Sequence, residues 1–249
     1  MIGVIIFLLG VSIGSFINAA VFRVREGESL VKSRSKCRTC EVPIGAKDLV
    51  PVLSYLRLKG RCRNCKSVIS WQYPVVEMVM GILFVVAFFH ADTLLIFARD
   101  AIFLSYLVIL FVYDLRYMLI LDKFTIPAMI IAILLNLWIG IVPPIAMMLG
   151  GLALAAFFHL QYVLSKGAWV GGGDIRMGAL MGFMLGLGYG LVALFIAYIF
   201  GALVGVGLIV MKKADRKTPI PFGTFLAVAT AIVLFIGPEL VSSYLSLFP

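Results

Sequence analysis

The chain has 249 residues, 63% of them hydrophobic and 13% charged, with a formal net charge of +9 and a mean hydropathy of +1.12. Soluble domains average roughly 45–50% apolar and about 25% charged residues, so a single soluble core, a disordered tail and a secreted disulfide scaffold are excluded. A span needs about 20 mostly apolar residues, and the sequence divides into about eight such stretches: the expected fold is all-α, a polytopic helical membrane protein.

The first apolar run, Ile2–Phe22, has Arg23 and Arg25 behind it and no basic residue in front. That is the reverse of a cleaved signal peptide, so it reads as a retained first span with its N-terminus outside. A polar loop, 23–73, follows and carries twelve basic residues against four acidic ones. The second span is expected over about Pro74–His90 and the third over about Leu94–Tyr113, with the Arg99–Asp100 pair near its outer end read as a surface ion pair. After a short loop at 114–123, Phe124–Ser165 contains no Asp, Glu, Lys or Arg. It is long enough for two spans turning at Pro143–Pro144. A loop at 166–176 precedes a second uncharged stretch, Met177–Met211, which divides at Gly186–Gly190. The loop KKADRK (212–217) leads to a last span at about Pro219–Val241. The resulting domains are 1–22, a first transmembrane helix; 23–73, a basic cytoplasmic loop domain; and 74–249, the remaining transmembrane region with the candidate chemistry.

This division places 20 of the 21 Lys and Arg residues on one side, all but Arg99. The positive-inside rule makes that side cytoplasmic and both termini external. The charge is therefore read as topology and contact with anionic membrane lipids, and nucleic acid is not expected as a partner. Gly178, Gly182, Gly186 and Gly190 recur every four residues, the spacing of a helix face for close packing.

All four cysteines lie in the loop, as Cys37-x2-Cys40 and Cys62-x2-Cys65. Paired CxxC knuckles supply four thiolates for a tetrahedral zinc ion, and a reducing compartment disfavours disulfides. A structural zinc site is expected; four metal-free thiols are the alternative. A basic loop with little core of its own would draw folding energy from the metal.

Acids at membrane borders are costly and mark candidate chemistry. Asp114 ends an apolar run; Asp174 follows Gly171-Gly172-Gly173 and opens a helix; Asp122 lies between them in sequence. Two carboxylates brought together share a proton and can activate water while protonating a leaving amine. Solvated loop acids are the alternative reading. The three glycines lower its weight, because they permit positive φ and close backbone approach by an extended peptide. Helix polarity assigns Asp174, at a helix N-terminus, as the base and Asp114, at a helix C-terminus, as the acid. Glu77, one turn into the second span, fits a structural hydrogen bond as well as it fits chemistry.

Together these residues resemble the type IV prepilin peptidase family, membrane aspartic proteases of the GxGD type. The resemblance runs through GSFINAAVFR (14–23), both CxxC pairs, PVLSYLRLKGRCRNC (51–65), ISWQYPVVE (69–77), the Asp114 segment, GGGD (171–174) and TPIPFG (218–223). It implies that Asp114 and Asp174 are the catalytic pair. Asp122, preceded here by Leu121 where the family commonly has proline, matches a second acidic position. Gly171, Gly172, Gly173, Asp122 and Glu77 are expected to position substrate.

The resemblance further implies cleavage of the basic leader of type IV prepilins or pseudopilins at the cytoplasmic face of a bacterial inner membrane. Methylation of the new N-terminus, with S-adenosylmethionine as donor, is expected to follow. The alternatives are a transporter using the border acids as an ion pathway, and a zinc-dependent membrane methyltransferase without protease activity.

Overall fold

A computed structural model describes residues 1–30, 32–213, 215 and 218–246, so Arg216 and Lys217 of the KKADRK loop lie outside the described residues. The regular structure is helical: α1 (Ile2–Arg25), α2 (Leu53–Arg57), α3 (Gln72–His90), α4 (Leu94–Tyr117), α5 (Asp122–Ile139), α6 (Pro144–Ser165), α7 (Gly172–Val210) and α8 (Phe222–Leu245). Two compact units divide the chain, Met1–Phe97 and Ala98–Pro249.

In the first unit α1 packs against α3. The helices approach closely because α1 presents glycines: a Cβ at Gly14 would lie 2.8 Å from the Cα of Glu77. The loop between them carries a single 3-10 turn, Ala46–Asp48, and the short α2.

In the second unit α7 packs against α5, α6 and α8. Gly140, in the left-handed conformation at φ 77°, ends α5, and Pro144 occupies the first turn of α6. Each residue suits its position, glycine just past a helix and proline just inside the next.

Seven of the described helices are long and apolar enough to cross a membrane, where the sequence suggested about eight spans. The difference lies in α7. Its 39 residues would make a straight rod of about 58 Å at 1.5 Å per residue, against a hydrocarbon core of about 30 Å. It is not straight. Gly186 leaves the helical region at φ 76°, ψ −179°, and a Cβ at Gly190 would lie 3.7 Å from the Cα of Gly182. Eight helical residues otherwise advance about 12 Å, so the chain doubles back at Gly186 inside the stretch where the sequence placed a division. The four-residue glycine series faces α6 through part of this turn, and any side chain at Gly182 would collide with Gly150.

The reversal leaves carbonyls without their usual partners, and Asn136 of α5 supplies donors. Its Nδ2 donates to the carbonyls of Phe183 at 2.8 Å and Met184 at 3.2 Å. Large apolar side chains such as Leu8, Val79, Leu134, Leu152 and Phe195 lie exposed along these helices. Helices apolar around their circumference belong in lipid, and the chain is a multi-pass membrane protein.

Candidate active site

Asp114, Asp122 and Asp174 lie where helices of the second unit begin or end. Asp114 is in the last turn of α4, Asp122 opens α5 and Asp174 is the third residue of α7. Asp114 and Asp174 are both buried. Asp114 Oδ2 accepts the backbone N–H of Thr224, in the first turn of α8, at 2.9 Å. Asp174 Oδ2 accepts the N–H of Gly171, the residue that caps its own helix, at 2.8 Å. Both carboxylates thus satisfy N–H groups that a helix start leaves without intrahelical partners.

One side chain spans the approach between them. A Cβ at Gly223 would lie 2.6 Å from Ile120 Cδ1 and 2.9 Å from Asp114 Oδ2, while one at Gly173 would lie 2.8 Å from Ile120 Cβ. Ile120 therefore fills the space between the glycine beside each aspartate. Asp122 pairs with Arg176, two residues past Asp174, at 2.8 Å. That pair is half-exposed and ties the starts of α5 and α7 together.

This geometry removes the polarity argument that separated base from acid. Asp114 ends one helix, but its carboxylate rests on the N-terminus of another, so both acids meet the positive end of a helix dipole. The three glycines also work differently from the expectation. Gly171 is extended, at φ −84°, and Gly172 and Gly173 are helical; none has positive φ. Gly172 faces open space, whereas Gly173 makes room for Ile120.

Glu77 belongs to the first unit. Its buried carboxylate accepts the backbone N–H of Val52 at 2.7 Å. Val52 has φ 60°, ψ −55°, and the Leu53 N–H returns to the Pro51 carbonyl, a γ-turn that β-branched residues seldom adopt. Glu77 thus pins the loop to the α1–α3 pair. Arg99 and Asp100 do form an ion pair, at 2.7 Å, but both are buried and not at the surface; the Arg99 guanidinium also lies over Phe103.

The cysteine loop is built from one turn used twice. Lys36 bridges Pro43 as Arg61 bridges Val68. The Cys37 N–H donates to Val42 O as the Cys62 N–H donates to Ser67 O, and Glu41 and Lys66 take the same positive φ. The four sulfurs lie within 4.8 Å of one another, with Cys37 Sγ and Cys65 Sγ 3.8 Å apart. Tetrahedral zinc at about 2.3 Å from each sulfur sets its ligands about 3.8 Å apart, so the donor set fits that ion. Backbone N–H groups of Cys40 and Thr39 aimed at Cys37 push its thiol down to about 6. The loop is braced by Asp48, which takes Arg63 in a two-pronged pair at 2.6 and 2.7 Å and Arg57 at 3.3 Å. Chiefly through Arg63, its carboxyl is held below the usual range.

Two buried aspartates where helices end and begin, in a multi-pass chain that also carries a four-thiol loop, define a polytopic membrane protein with a candidate acid site. The Bacterial Peptidase A24 N-terminal domain matches residues 8–91 and the Type IV leader peptidase family matches residues 101–206. The chain is 31% identical to the prepilin leader peptidase/N-methyltransferase of Bacillus subtilis (strain 168), over 98% of each chain. It is 33% identical to the protein of that name from Aeromonas salmonicida (strain A449), over 97% of this chain and 93% of the other. Against the one from Neisseria gonorrhoeae identity is 29%, over 91% of this chain and 87% of the other. No solved structure matches. The chain belongs to the type IV leader peptidase family.

Two residues with parts in this geometry escaped sequence reasoning. Thr224 lies beside the TPIPFG motif, which could have drawn attention to it. Ile120 carries no signal, being one apolar residue in an apolar run.

Proposed function

We propose that the chain is a membrane aspartic endopeptidase that removes the leader of type IV prepilins or pseudopilins, with Asp114 and Asp174 as the catalytic pair. The observation that carries this reading is the fixing of both buried carboxylates at helix starts, with Ile120 packed between Gly223 and Gly173. The pair shares one proton, since two nearby carboxylates do not both ionise readily. The ionised member takes a proton from a water molecule, whose oxygen attacks the scissile carbonyl carbon; the protonated member gives its proton to the carbonyl oxygen. In the second half the tetrahedral intermediate collapses, the C–N bond breaks and the nitrogen leaves as an amine with a proton from the pair.

Gly171 and Gly172 leave a low wall on the Asp174 side, where an extended peptide can lie, and Gly173 supports it by seating Ile120. Asp122, half-exposed and held by Arg176, can exchange that partner for a basic group of the leader. The site opens toward the cytoplasm of a bacterial inner membrane, both termini lying outside, and the basic loop meets anionic headgroups. Cys37, Cys40, Cys62 and Cys65 would hold zinc, which supplies a structural cross-link between the two turns. The relatives' name also carries N-methylation, for which S-adenosylmethionine would donate the methyl group.

The transporter alternative draws no support from these relatives. The test is incubation of the purified protein, in lipid, with a prepilin, followed by intact-mass measurement. Loss of the leader supports the reading and an unchanged mass refutes it; a further gain of one methyl group adds the second activity.

A further inference from the structure

Gln161 and Tyr198 lie in the second unit at the level of Asp174. Phe158 of α6 meets the glycine face at Gly178. One turn further along α6 is Gln161, and one turn back along α7, which runs the opposite way here, is Asp174. Beyond the reversal at Gly186, Tyr198 returns to the same neighbourhood: its hydroxyl donates to Gln161 Oε1 at 2.9 Å. The Tyr198 ring packs on Phe222 at 4.9 Å between centroids. Phe222 begins α8, two residues before the Thr224 N–H that holds Asp114. The hydroxyl is thus fixed by a partner on α6 and its ring by Phe222 at the start of α8.

With Oε1 engaged by Tyr198, Gln161 has its amide donors left to offer. Its Nε2 is buried and has no hydrogen-bond partner among the described residues. A buried amide donor without an acceptor is costly, and the cost is greater where no water substitutes. Such an atom at the helical level of Asp174 suits an acceptor that arrives with substrate. The nearby Asp174 disfavours an anion and leaves a neutral acceptor. A substrate of the proposed kind presents neutral acceptors. Hydrolysis of a bond at the border of a membrane helix requires the backbone there to be unwound, and unwinding frees carbonyl oxygens from their i+4 donors.

We infer that Gln161, aimed by Tyr198, is a substrate-binding residue whose Nε2 donates a hydrogen bond to a backbone carbonyl of the unwound cleavage segment. The inference rests on Asp114 and Asp174 being the catalytic pair. Nε2 is covered in the free protein, so the arriving segment must uncover it before its carbonyl docks. Tyr198 acts through Gln161 as a positioning residue.

The test compares wild type, Gln161→Met, Tyr198→Phe and Asp174→Asn as full-length proteins in lipid nanodiscs, reading prepilin cleavage kinetics and thermal midpoint. Methionine keeps the length of the side chain and removes the orphan donor. Gln161→Met is expected to lower kcat/KM about tenfold or more while the midpoint stays level or rises. Tyr198→Phe, which keeps the ring stack, is expected to lower kcat/KM several-fold. Cleavage by Gln161→Met at the wild-type rate overturns the inference. So does a loss of cleavage accompanied by a lowered midpoint, which marks Gln161 as a packing residue. Asp174→Asn should cleave nothing; if it cleaves, the catalytic pair itself is wrongly assigned, and that failure is distinct from failure at Gln161.

Discussion

The Asp114 carboxylate accepts the backbone N–H of Thr224 at 2.9 Å, across 110 residues of chain. The bond ties the end of α4 to the start of α8 and satisfies both partners, each of which is buried. Thr224 is itself fixed, its hydroxyl donating to the Pro221 carbonyl at 2.7 Å. A carboxylate anchored to backbone in this way has one orientation, and its position depends on the residue beside the donor.

That residue is Gly223. A methyl group there would meet Asp114 Oδ2 at 2.9 Å and Ile120 Cδ1 at 2.6 Å, so Gly223→Ala pushes the carboxylate, the isoleucine or both. A displacement near 1 Å can cost about 100-fold in rate. Gly223→Ala is expected to lose prepilin cleavage on that scale, measured as kcat in lipid nanodiscs. Wild-type kcat would show that the close approach is unimportant.

Asn136 holds the reversal of α7 through the carbonyls of Phe183 and Met184. Asn136→Leu keeps the bulk and removes the donor. Each buried carbonyl left without a partner costs about 1–3 kcal/mol, offset in part because Asn136 Oδ1 is itself buried and unpartnered. A lower thermal midpoint in detergent is expected, with reduced cleavage because α7 carries Asp174. An unchanged midpoint would count against the clamp.

The four-thiol cluster predicts one zinc per chain by elemental analysis, falling sharply in Cys40→Ser. A loop whose stability is partly metal binding should unfold on its own when the metal is removed. Chelation is therefore expected to open residues 23–73 to protease while α4–α8 stay protected. Equal protection of the loop with and without chelator would contradict a structural metal.

A pair that works as acid and base together should give a cleavage rate that rises and then falls with pH, following two ionisations of the pair. Dependence on a single ionisation would leave one aspartate without a catalytic part.

The helices were legible because lipid demands long apolar runs and proline and glycine punctuate them; Gly140 and Pro144 divide α5 from α6 where the sequence suggested a turn. Asp114 and Asp174 stood out as carboxylates at the borders of apolar runs, and the four cysteines by the spacing of two CxxC pairs in one polar loop. What escaped was set by distant partners. The helix ending at Asp114 gives no hint that its carboxylate reaches the start of α8, so helix polarity read locally misjudged its surroundings. Asn136, Gln161 and Ile120 matter through residues on other helices. Adjacency revealed the Arg99–Asp100 ion pair but could not reveal its burial.

The central claim is that Asp114 and Asp174 together hydrolyse the leader peptide bond. Its most direct test is intact-mass analysis of a prepilin after incubation with wild type, Asp114→Asn or Asp174→Asn, each shown to keep its helical content and thermal midpoint. The account predicts loss of the leader with wild type and an unchanged prepilin mass with either variant. Leader removal by either folded variant would contradict it.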